Sequence, residues 1–228
     1  MLKNILCPVH REGWLYVGLF ALAAFIGFKF HMHLGWIFLI LTAWCAYFFR
    51  DPQRVTPIRA GLIISPADGL IQSISKVAPP EELHLPPTPL TRVSVFMNVF
   101  DVHINRAPID ATVKQVEYVP GKFFNASLDK ASKYNERQIF LMTMPDGRDL
   151  IVVQIAGLVA RRILRWVRTG DALRCGERMG MIRFGSRVDV YLPDGVMPMV
   201  IEGQRVYAGE SVIADLQSAE PARTGKRS

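Results

Sequence analysis

The chain has 228 residues, of which 50% are hydrophobic and 21% charged. This composition excludes a largely disordered protein and suits one domain with an appendage, or two small domains. Its three cysteines, Cys7, Cys45 and Cys175, lie far apart, which excludes a disulfide framework and a C-x-x-C metal site. The formal net charge of +7 favours an anionic partner: a nucleic acid, an anionic membrane or an acidic substrate.

Two apolar runs near the N-terminus, residues 13–28 and 34–49, carry no formal charge and are separated by a short segment that begins with Lys29. A helix that crosses the hydrocarbon core needs about 20 apolar residues, so each run is marginal in length. We predict an apolar helical hairpin over residues 1–50 that associates with a membrane, either spanning it twice or lying in one leaflet. A signal peptide and a buried hairpin of a soluble protein are the alternatives.

Basic residues flank both outer ends of this hairpin: Lys3 and Arg11 precede it, and Arg50 and Arg54 follow it. Short flanking segments rich in lysine and arginine stay on the cytoplasmic side of a membrane. The sequence therefore predicts that both ends of the hairpin, and everything after it, lie in the cytoplasm. The expected location is the cytoplasmic face of the cell membrane.

From residue 52 onward, short apolar runs alternate with Gly, Pro and Asp, a pattern typical of a β-rich domain. The predicted strands are residues 62–65, 70–77, 93–100, 112–119, 138–144, 149–155 and 187–192. The Pro-Asp-Gly-Arg sequence at 145–148 predicts a hairpin turn. The proline-rich residues 79–89 predict an exposed loop.

Residues 200–216 resemble the hairpins of lipoyl-type barrel-sandwich domains, in which a glycine-containing turn joins two short strands. We therefore predict a mainly β (α+β) fold, with a barrel-sandwich-like β domain over residues 51–216 after the apolar helical hairpin. The polar residues 217–228 predict a flexible tail.

Four arginines have a spacing that would place them on one face of a helix: Arg161, Arg162, Arg165 and Arg168. With Trp166 among them, such a helix suits contact with anionic phospholipid head groups. The alternative is an ordinary solvated helix face. Nucleic acid is disfavoured as the partner, because the neighbouring hairpin is apolar and the sequence has no aromatic–basic RNA-binding motif.

The chain lacks the common cofactor, metal and hydrolase motifs G-x-G-x-x-G, G-x-x-x-x-G-K-[ST], H-E-x-x-H and G-x-S-x-G, and no metal site is predicted. Three local groups of polar residues remain, at 65–69 (Ser-Pro-Ala-Asp-Gly), 100–108 and 183–190. Taken alone, each has an ordinary explanation: a turn, a loop hydrogen bond, and a Gly-Ser step before a strand.

In this order, the three groups resemble the short bacterial form of the phosphatidylserine decarboxylase family. Further matching segments are Tyr-Val-Pro-Gly-Lys at 118–122, Asn-Glu-Arg at 135–137, Gln-Ile-Ala-Gly at 154–157 and Ala-Arg-Arg-Ile at 160–163. The resemblance covers about residues 50–216. Some longer relatives carry a second histidine where this chain has Arg106, so a role of that histidine does not transfer.

The resemblance implies a zymogen that cleaves itself between Gly185 and Ser186. The Ser186 hydroxyl attacks the Gly185 carbonyl, and elimination and hydrolysis then convert Ser186 into a covalent pyruvoyl cofactor. The products are a large chain (1–185) and a small chain (186–228) that form a heterodimer. The higher oligomeric state is not implied. Glycine suits the attacked position because it has no side chain and accepts strained backbone angles.

The resemblance also assigns His103 as the base of self-cleavage and as the acid that reprotonates the product. A serine hydroxyl is a weak nucleophile and needs such a base. Either Asp68 or Asp101 is expected to orient the imidazole. Asp101 lies two residues before His103 and shares its face if the segment is a strand, whereas Asp68 depends on the fold to bring it near. Both remain candidates.

The implied reaction converts phosphatidylserine into phosphatidylethanolamine. The pyruvoyl carbonyl forms a Schiff base with the substrate amine and takes up the electrons left when CO2 departs. The expected partner is phosphatidylserine in an anionic membrane, which suits the apolar hairpin and the basic net charge.

Two other functions fit parts of the sequence. A membrane hairpin joined to a lipoyl-like module suits a non-enzymatic adaptor of a membrane complex. A carrier is disfavoured, because the turns at 193–195 and 202–214 contain no lysine to modify. A pyruvoyl-dependent decarboxylase of a soluble amino acid would keep the chemistry but would have no need of the apolar hairpin.

Overall fold

The computed structural model describes residues 7–126, 134–157, 162–183 and 185–225. The chain divides into two compact units. The first comprises residues 1–53 and 100–102, and the second comprises residues 54–99 and 103–228.

The first unit is a hairpin of two helices, α1 (Arg11–Phe30) and α2 (Met32–Phe48), joined by the single extended residue His31. Glycines allow the helices to meet at this turn, because a Cβ built on Gly27 would lie 3.0 Å from the backbone nitrogen of Gly35. The predicted apolar helical hairpin is confirmed.

Large apolar side chains cover the outside of this hairpin. Leu15, Phe25 and Ile40 are 67%, 64% and 65% exposed. Among the described helices, α1 has the length and apolar composition of a membrane span, with a mean hydropathy of 1.6, whereas α2 is apolar but has only 17 residues. Contact with lipid would remove from water an apolar surface that the unit itself leaves exposed.

The described part of the second unit contains thirteen strands. They are β1 (Leu62–Ile64), β2 (Gly69–Val77), β3 (Leu90–Met97), β4 (Ile104–Arg106), β5 (Ala111–Val119), β6 (Arg137–Thr143), β7 (Asp149–Ala156), β8 (Ile163–Arg165), β9 (Ala172–Leu173), β10 (Arg178–Ile182), β11 (Ser186–Tyr191), β12 (Arg205–Val206) and β13 (Val212–Asp215). They form an eight-stranded sheet in the order β12-β2-β3-β11-β7-β6-β5-β9, a three-stranded sheet β4-β10-β8, and the pair β1-β13. The large sheet curls into a half-barrel, which confirms the mainly β fold class.

Strand β11 lies near the centre of the large sheet, antiparallel to β3 and β7. Its side chains alternate between two apolar cores, with Val188 and Val190 in the larger core and Tyr191 in the smaller one. Because both its edges are paired and both its faces are covered, all six of its residues are buried. Ser186, the first residue of β11, therefore lies in the interior of the protein.

Most of the strands predicted from the sequence are confirmed. Six of them coincide within one residue with β1, β2, β5, β6, β7 and β11. The predicted turn at 145–148 joins β6 to β7, and the Met144 N–H donates to the Arg148 carbonyl oxygen at 2.9 Å. The strand predicted at 93–100 is shifted, because β3 ends at Met97. The loop at 79–89 is only partly exposed, since it contains a short 3-10 helix (Glu81–Leu83) whose Leu83 side chain is buried.

Two predictions of local structure are wrong. The hairpin expected at 200–216 does not form, because β12 pairs with β2 and β13 pairs with β1. The helix expected to carry the arginines is replaced by β8, whose residues pair with Gly180–Ile182 of β10. Successive side chains of a strand point to opposite faces, so the described arginines do not share one helical face. Arg161 lies outside the described residues.

Candidate active site

The Ser186 side chain is enclosed in the centre of the large sheet. It faces the same side as Met97 of β3 and Ala156 of β7, its two cross-strand neighbours. The side chain has no exposed surface, and its Oγ has no hydrogen-bond partner among the described residues. A buried hydroxyl without a partner costs about 1–3 kcal/mol. Such a group in a native fold is a candidate for chemistry.

The residue before Ser186 has an unusual backbone conformation. Gly185 has a φ of +64°, in the left-handed region that favours glycine. Its backbone N–H donates to Nε2 of His103 at 3.3 Å. Because Nε2 accepts this hydrogen bond, it carries no proton in this arrangement. A base therefore lies one residue away from the peptide bond between Gly185 and Ser186.

Strands β4 and β10 bring His103 to this position. His103 immediately precedes β4, and its carbonyl oxygen accepts the N–H of Ile182 at 3.3 Å at the end of β10. The chain reaches Gly185 three residues after Ile182. Pairing of the two strands thus joins residues 82 positions apart in the sequence. The imidazole is fully buried.

The turn that carries Asp68 packs beside β4. The Pro66 carbonyl oxygen accepts the Arg106 N–H at 2.9 Å, and the Ser65 hydroxyl closes the turn on the Ala67 carbonyl oxygen at 2.7 Å. A Cβ on Gly69 would lie 2.1 Å from the Phe96 carbonyl oxygen, so glycine lets the turn lie directly against β3.

The Asp68 carboxylate is held by several donors. One guanidinium nitrogen of Arg54 lies 2.9 and 2.8 Å from its two oxygens, and the Ala208 N–H donates to it at 2.8 Å. Both side chains of the Arg54–Asp68 ion pair are only 5% exposed. The contact with Arg54 was not anticipated from the sequence, where Arg54 appeared only as a basic residue flanking the apolar hairpin.

Asp101 belongs to the first unit, in the segment 100–102, and is 1% exposed. The prediction that Asp101 and His103 share one face of a strand is wrong, because β4 begins at Ile104 and neither residue lies in a strand. The strand rule that puts residues i and i+2 on one face does not apply there.

Asn135 is a buried residue near the site that sequence reasoning did not single out. Its Nδ2 donates to the carbonyl oxygens of Phe124 and Ala156, at 2.8 and 2.7 Å, and its Oδ1 accepts the Phe124 N–H at 2.9 Å. It therefore fixes the end of β7 where that strand lies against Ser186. The only sequence indication was its place in the Asn-Glu-Arg segment of the family resemblance.

A buried ion pair lies on the opposite face of β11. The Arg187 guanidinium contacts the two carboxylate oxygens of Asp189 at 2.9 Å each, and both side chains are essentially unexposed. Arg187 also donates to the Ala126 carbonyl oxygen at 3.4 Å. Alternation along the strand directs this pair away from the Ser186 face, so it anchors β11 without contacting the hydroxyl.

A cavity of about 550 Å³ lies near the β1–β13 pair, and its lining includes residues 57–62, 144–146 and 174–175. Its lining includes neither Ser186 nor His103. In the described ranges, no three His, Cys, Asp or Glu side chains are grouped as a metal ion would require.

Comparison with known proteins places the chain in one family. The family model for phosphatidylserine decarboxylase matches residues 41–214. Three bacterial proteins named phosphatidylserine decarboxylase proenzyme align over nearly the whole chain. They come from Paramagnetospirillum magneticum (57% identical over 98% of this chain and 93% of that protein), Cereibacter sphaeroides (58%, 99% and 97%) and Ruegeria pomeroyi (59%, 95% and 99%).

Proposed function

Because the chain belongs to the phosphatidylserine decarboxylase family, and is thus an enzyme of that family, we propose that it converts phosphatidylserine into phosphatidylethanolamine with a pyruvoyl group made from its own Ser186. The observation that carries this proposal is the juxtaposition of three groups. They are the buried Ser186 Oγ, which has no hydrogen-bond partner in the described part of the chain, the left-handed Gly185, and the His103 Nε2 that contacts the Gly185 N–H.

Self-cleavage begins when the Ser186 Oγ attacks the Gly185 carbonyl carbon. His103 accepts the hydroxyl proton, and a proton passes to the Ser186 nitrogen as the C–N bond breaks, which leaves an ester between the two residues. Removal of the Ser186 Cα proton then expels the Gly185 carboxylate from Cβ. Water then hydrolyses the resulting dehydroalanine. Its nitrogen leaves as ammonia, and the small chain now begins with a pyruvoyl group. The word proenzyme in the names of the relatives supports this processing.

The site fits such a group, because the atoms of Ser186 from which it forms are enclosed by protein and its Oγ meets no hydrogen-bond partner within the described ranges. A pyruvoyl group supplies a carbonyl that bonds to the substrate amine and takes up the electrons left by CO2. His103 then holds a proton for the substrate Cα. Burial of His103 and Ser186 excludes bulk water, which strengthens their electrostatic interactions.

The carboxylate that orients His103 is one of two candidates. Asp68 is fixed by Arg54 and by the Ala208 N–H, which favours a static orienting role. Asp101 is equally buried. Single Asp68→Asn and Asp101→Asn variants decide between them. Loss of the carboxylate that orients His103 slows self-cleavage, whereas loss of the other carboxylate leaves the cleavage rate unchanged.

We further propose three functional regions. Residues 1–50 anchor the enzyme at the cytoplasmic face of the cell membrane, residues 51–216 form the decarboxylase domain, and residues 217–225 belong to a flexible tail. The last three residues of the predicted tail, 226–228, lie outside the described residues. The exposed apolar side chains of α1 and α2 support the first assignment. The mature enzyme is a heterodimer of residues 1–185 and 186–228, and its substrate is phosphatidylserine in an anionic membrane.

The test combines intact mass spectrometry of the purified protein with release of CO2 from carboxyl-labelled phosphatidylserine in vesicles. We expect two chains, a small chain blocked at its N-terminus, and CO2 release. Free serine and other soluble amino acids, offered in parallel, should release none. A single intact chain that decarboxylates the lipid would refute the mechanism. An intact chain without activity would favour the non-enzymatic adaptor. Activity on a free amino acid, with none on the lipid, would contradict phosphatidylserine as the substrate.

A further inference from the structure

The residue opposite the attacked carbonyl is also a glycine. Ser186 of β11 pairs with Ala156 of β7, so the next step along the two antiparallel chains puts Gly157 opposite Gly185. A Cβ built on Gly157 would lie 2.1 Å from the Gly185 carbonyl oxygen and 3.0 Å from its carbon. The carbonyl oxygen therefore occupies the space that a side chain at position 157 would fill.

The backbone of Gly157 presents its N–H towards the same carbonyl. Both polar backbone groups of the preceding residue, Ala156, point to the β6 side, because its N–H donates to the Glu136 carbonyl oxygen at 2.9 Å and its own carbonyl oxygen accepts from Asn135. In an antiparallel ladder, the N–H and C=O of successive residues point to opposite neighbours. The Gly157 N–H thus faces β11, where the Gly185 carbonyl lies.

Asn135 fixes the peptide unit that bears this N–H. Its Nδ2 donates at 2.7 Å to the Ala156 carbonyl oxygen, which belongs to the same peptide group as the Gly157 nitrogen. Its other two hydrogen bonds go to the backbone of Phe124, and its side chain is fully buried. A donor held in this way needs no reorganisation when charge develops in front of it.

Attack of the Ser186 Oγ on the Gly185 carbon moves an electron pair onto the Gly185 oxygen, which becomes an oxyanion before the C–N bond breaks. We infer that the Gly157 N–H, positioned by Asn135, donates to this oxyanion and so accelerates self-cleavage. The inference rests on the proposed self-cleavage and assigns it a further residue. Loss of one such donor slows acyl transfer by about 10²–10³-fold in other enzymes.

The sharpest test removes only the N–H. Cell-free translation with an α-hydroxy acid replaces Gly157 by glycolic acid, which leaves the chain without that donor and adds no side chain. Cleavage of the radiolabelled precursor is followed by denaturing electrophoresis, and limited proteolysis checks folding. We expect cleavage about a hundredfold slower than in the unmodified chain. The control is the same replacement at Gly147, whose N–H donates to Met144 in an exposed turn; it should cleave at the normal rate.

An Asn135→Asp variant provides a second measurement. It preserves size and the acceptor for Phe124 but removes the donor to the Ala156 carbonyl, so cleavage should again be slow. Hydroxylamine should trap little ester in both variants, because the step before ester formation is the one impaired. Normal cleavage of either variant overturns the inference and leaves self-cleavage intact. An unmodified precursor that never cleaves overturns the proposed function as well.

Discussion

The Nε2 atom of His103 accepts a hydrogen bond from the Gly185 N–H at 3.3 Å, although 82 positions separate the two residues in the sequence. This contact places a basic nitrogen one residue from the peptide bond that the proposed mechanism breaks. It also requires that Nε2 carry no proton, which is the state in which imidazole accepts one from a hydroxyl. The same atom is thus suited to start cleavage.

Replacement of His103 by alanine should slow self-cleavage by at least about 10²-fold, because a general base contributes about 10²–10⁴-fold. Pulse–chase labelling followed by electrophoresis measures the rate. His84→Asn is the control, since His84 is exposed in a turn with a φ of 51° that asparagine tolerates. Normal cleavage of the His103 variant would restrict this residue to turnover or to structure.

Ser186→Ala should abolish both cleavage and decarboxylation, because alanine has no oxygen to attack Gly185. Ser94→Ala is a matched control. Ser94 lies in β3 beside β11, is fully buried, and likewise has a hydroxyl without a partner among the described residues. The control should be cleaved and active. A cleaved Ser186 variant, detected by intact mass, would remove the assignment of the cleavage site.

The Arg187–Asp189 pair should matter for stability. In an uncleaved Ser186→Ala background, Asp189→Asn should lower the free energy of unfolding by about 3–5 kcal/mol, because the buried Arg187 charge loses its partner. The exposed Arg148–Asp146 pair has the same two-residue spacing. Asp146→Asn should therefore cost no more than about 1 kcal/mol. Equal losses in urea unfolding would contradict the difference in burial.

Cys175 should be an unreactive thiol. Burial and the nearby Asp110 carboxylate raise its pKa to about 11, above the ordinary value of 9.0. The thiolate is the reactive form, so at pH 8 alkylation by iodoacetamide should be about a hundredfold slower than in the unfolded chain. The rate should keep rising to about pH 11. Mass spectrometry of the peptide that contains Cys175 measures it, and a plateau near pH 9 would contradict the raised pKa.

Local pattern predicted those features that depend on neighbours in the chain. Alternation and turn residues located β5, β6 and β7 to within one residue, since side-chain direction in a strand repeats every two residues. The same information failed where pairing partners had to be chosen. β12 and β13 were correctly placed within 200–216, yet each pairs with a strand from the start of the domain.

The prediction of a helix for the arginine segment is wrong for a related reason. Its spacing fits a helix, but the backbone of β8 instead pairs with Gly180–Ile182, and tertiary hydrogen bonds override a weak local preference. The family resemblance assigned roles to Gly185, Ser186 and His103. It assigned none to Arg54, and it included Gly157 only as a member of a matching segment.

The sequence by itself determined the apolar hairpin, most of the strands, and the Gly-Ser step at 185–186, because each depends on residue types a few positions apart. Only the tertiary structure decided that His103 contacts the Gly185 N–H and that Gly157 lies against the Gly185 carbonyl. Those contacts follow from which strands pair and in which register, and many distant side chains and backbone hydrogen bonds fix that choice together.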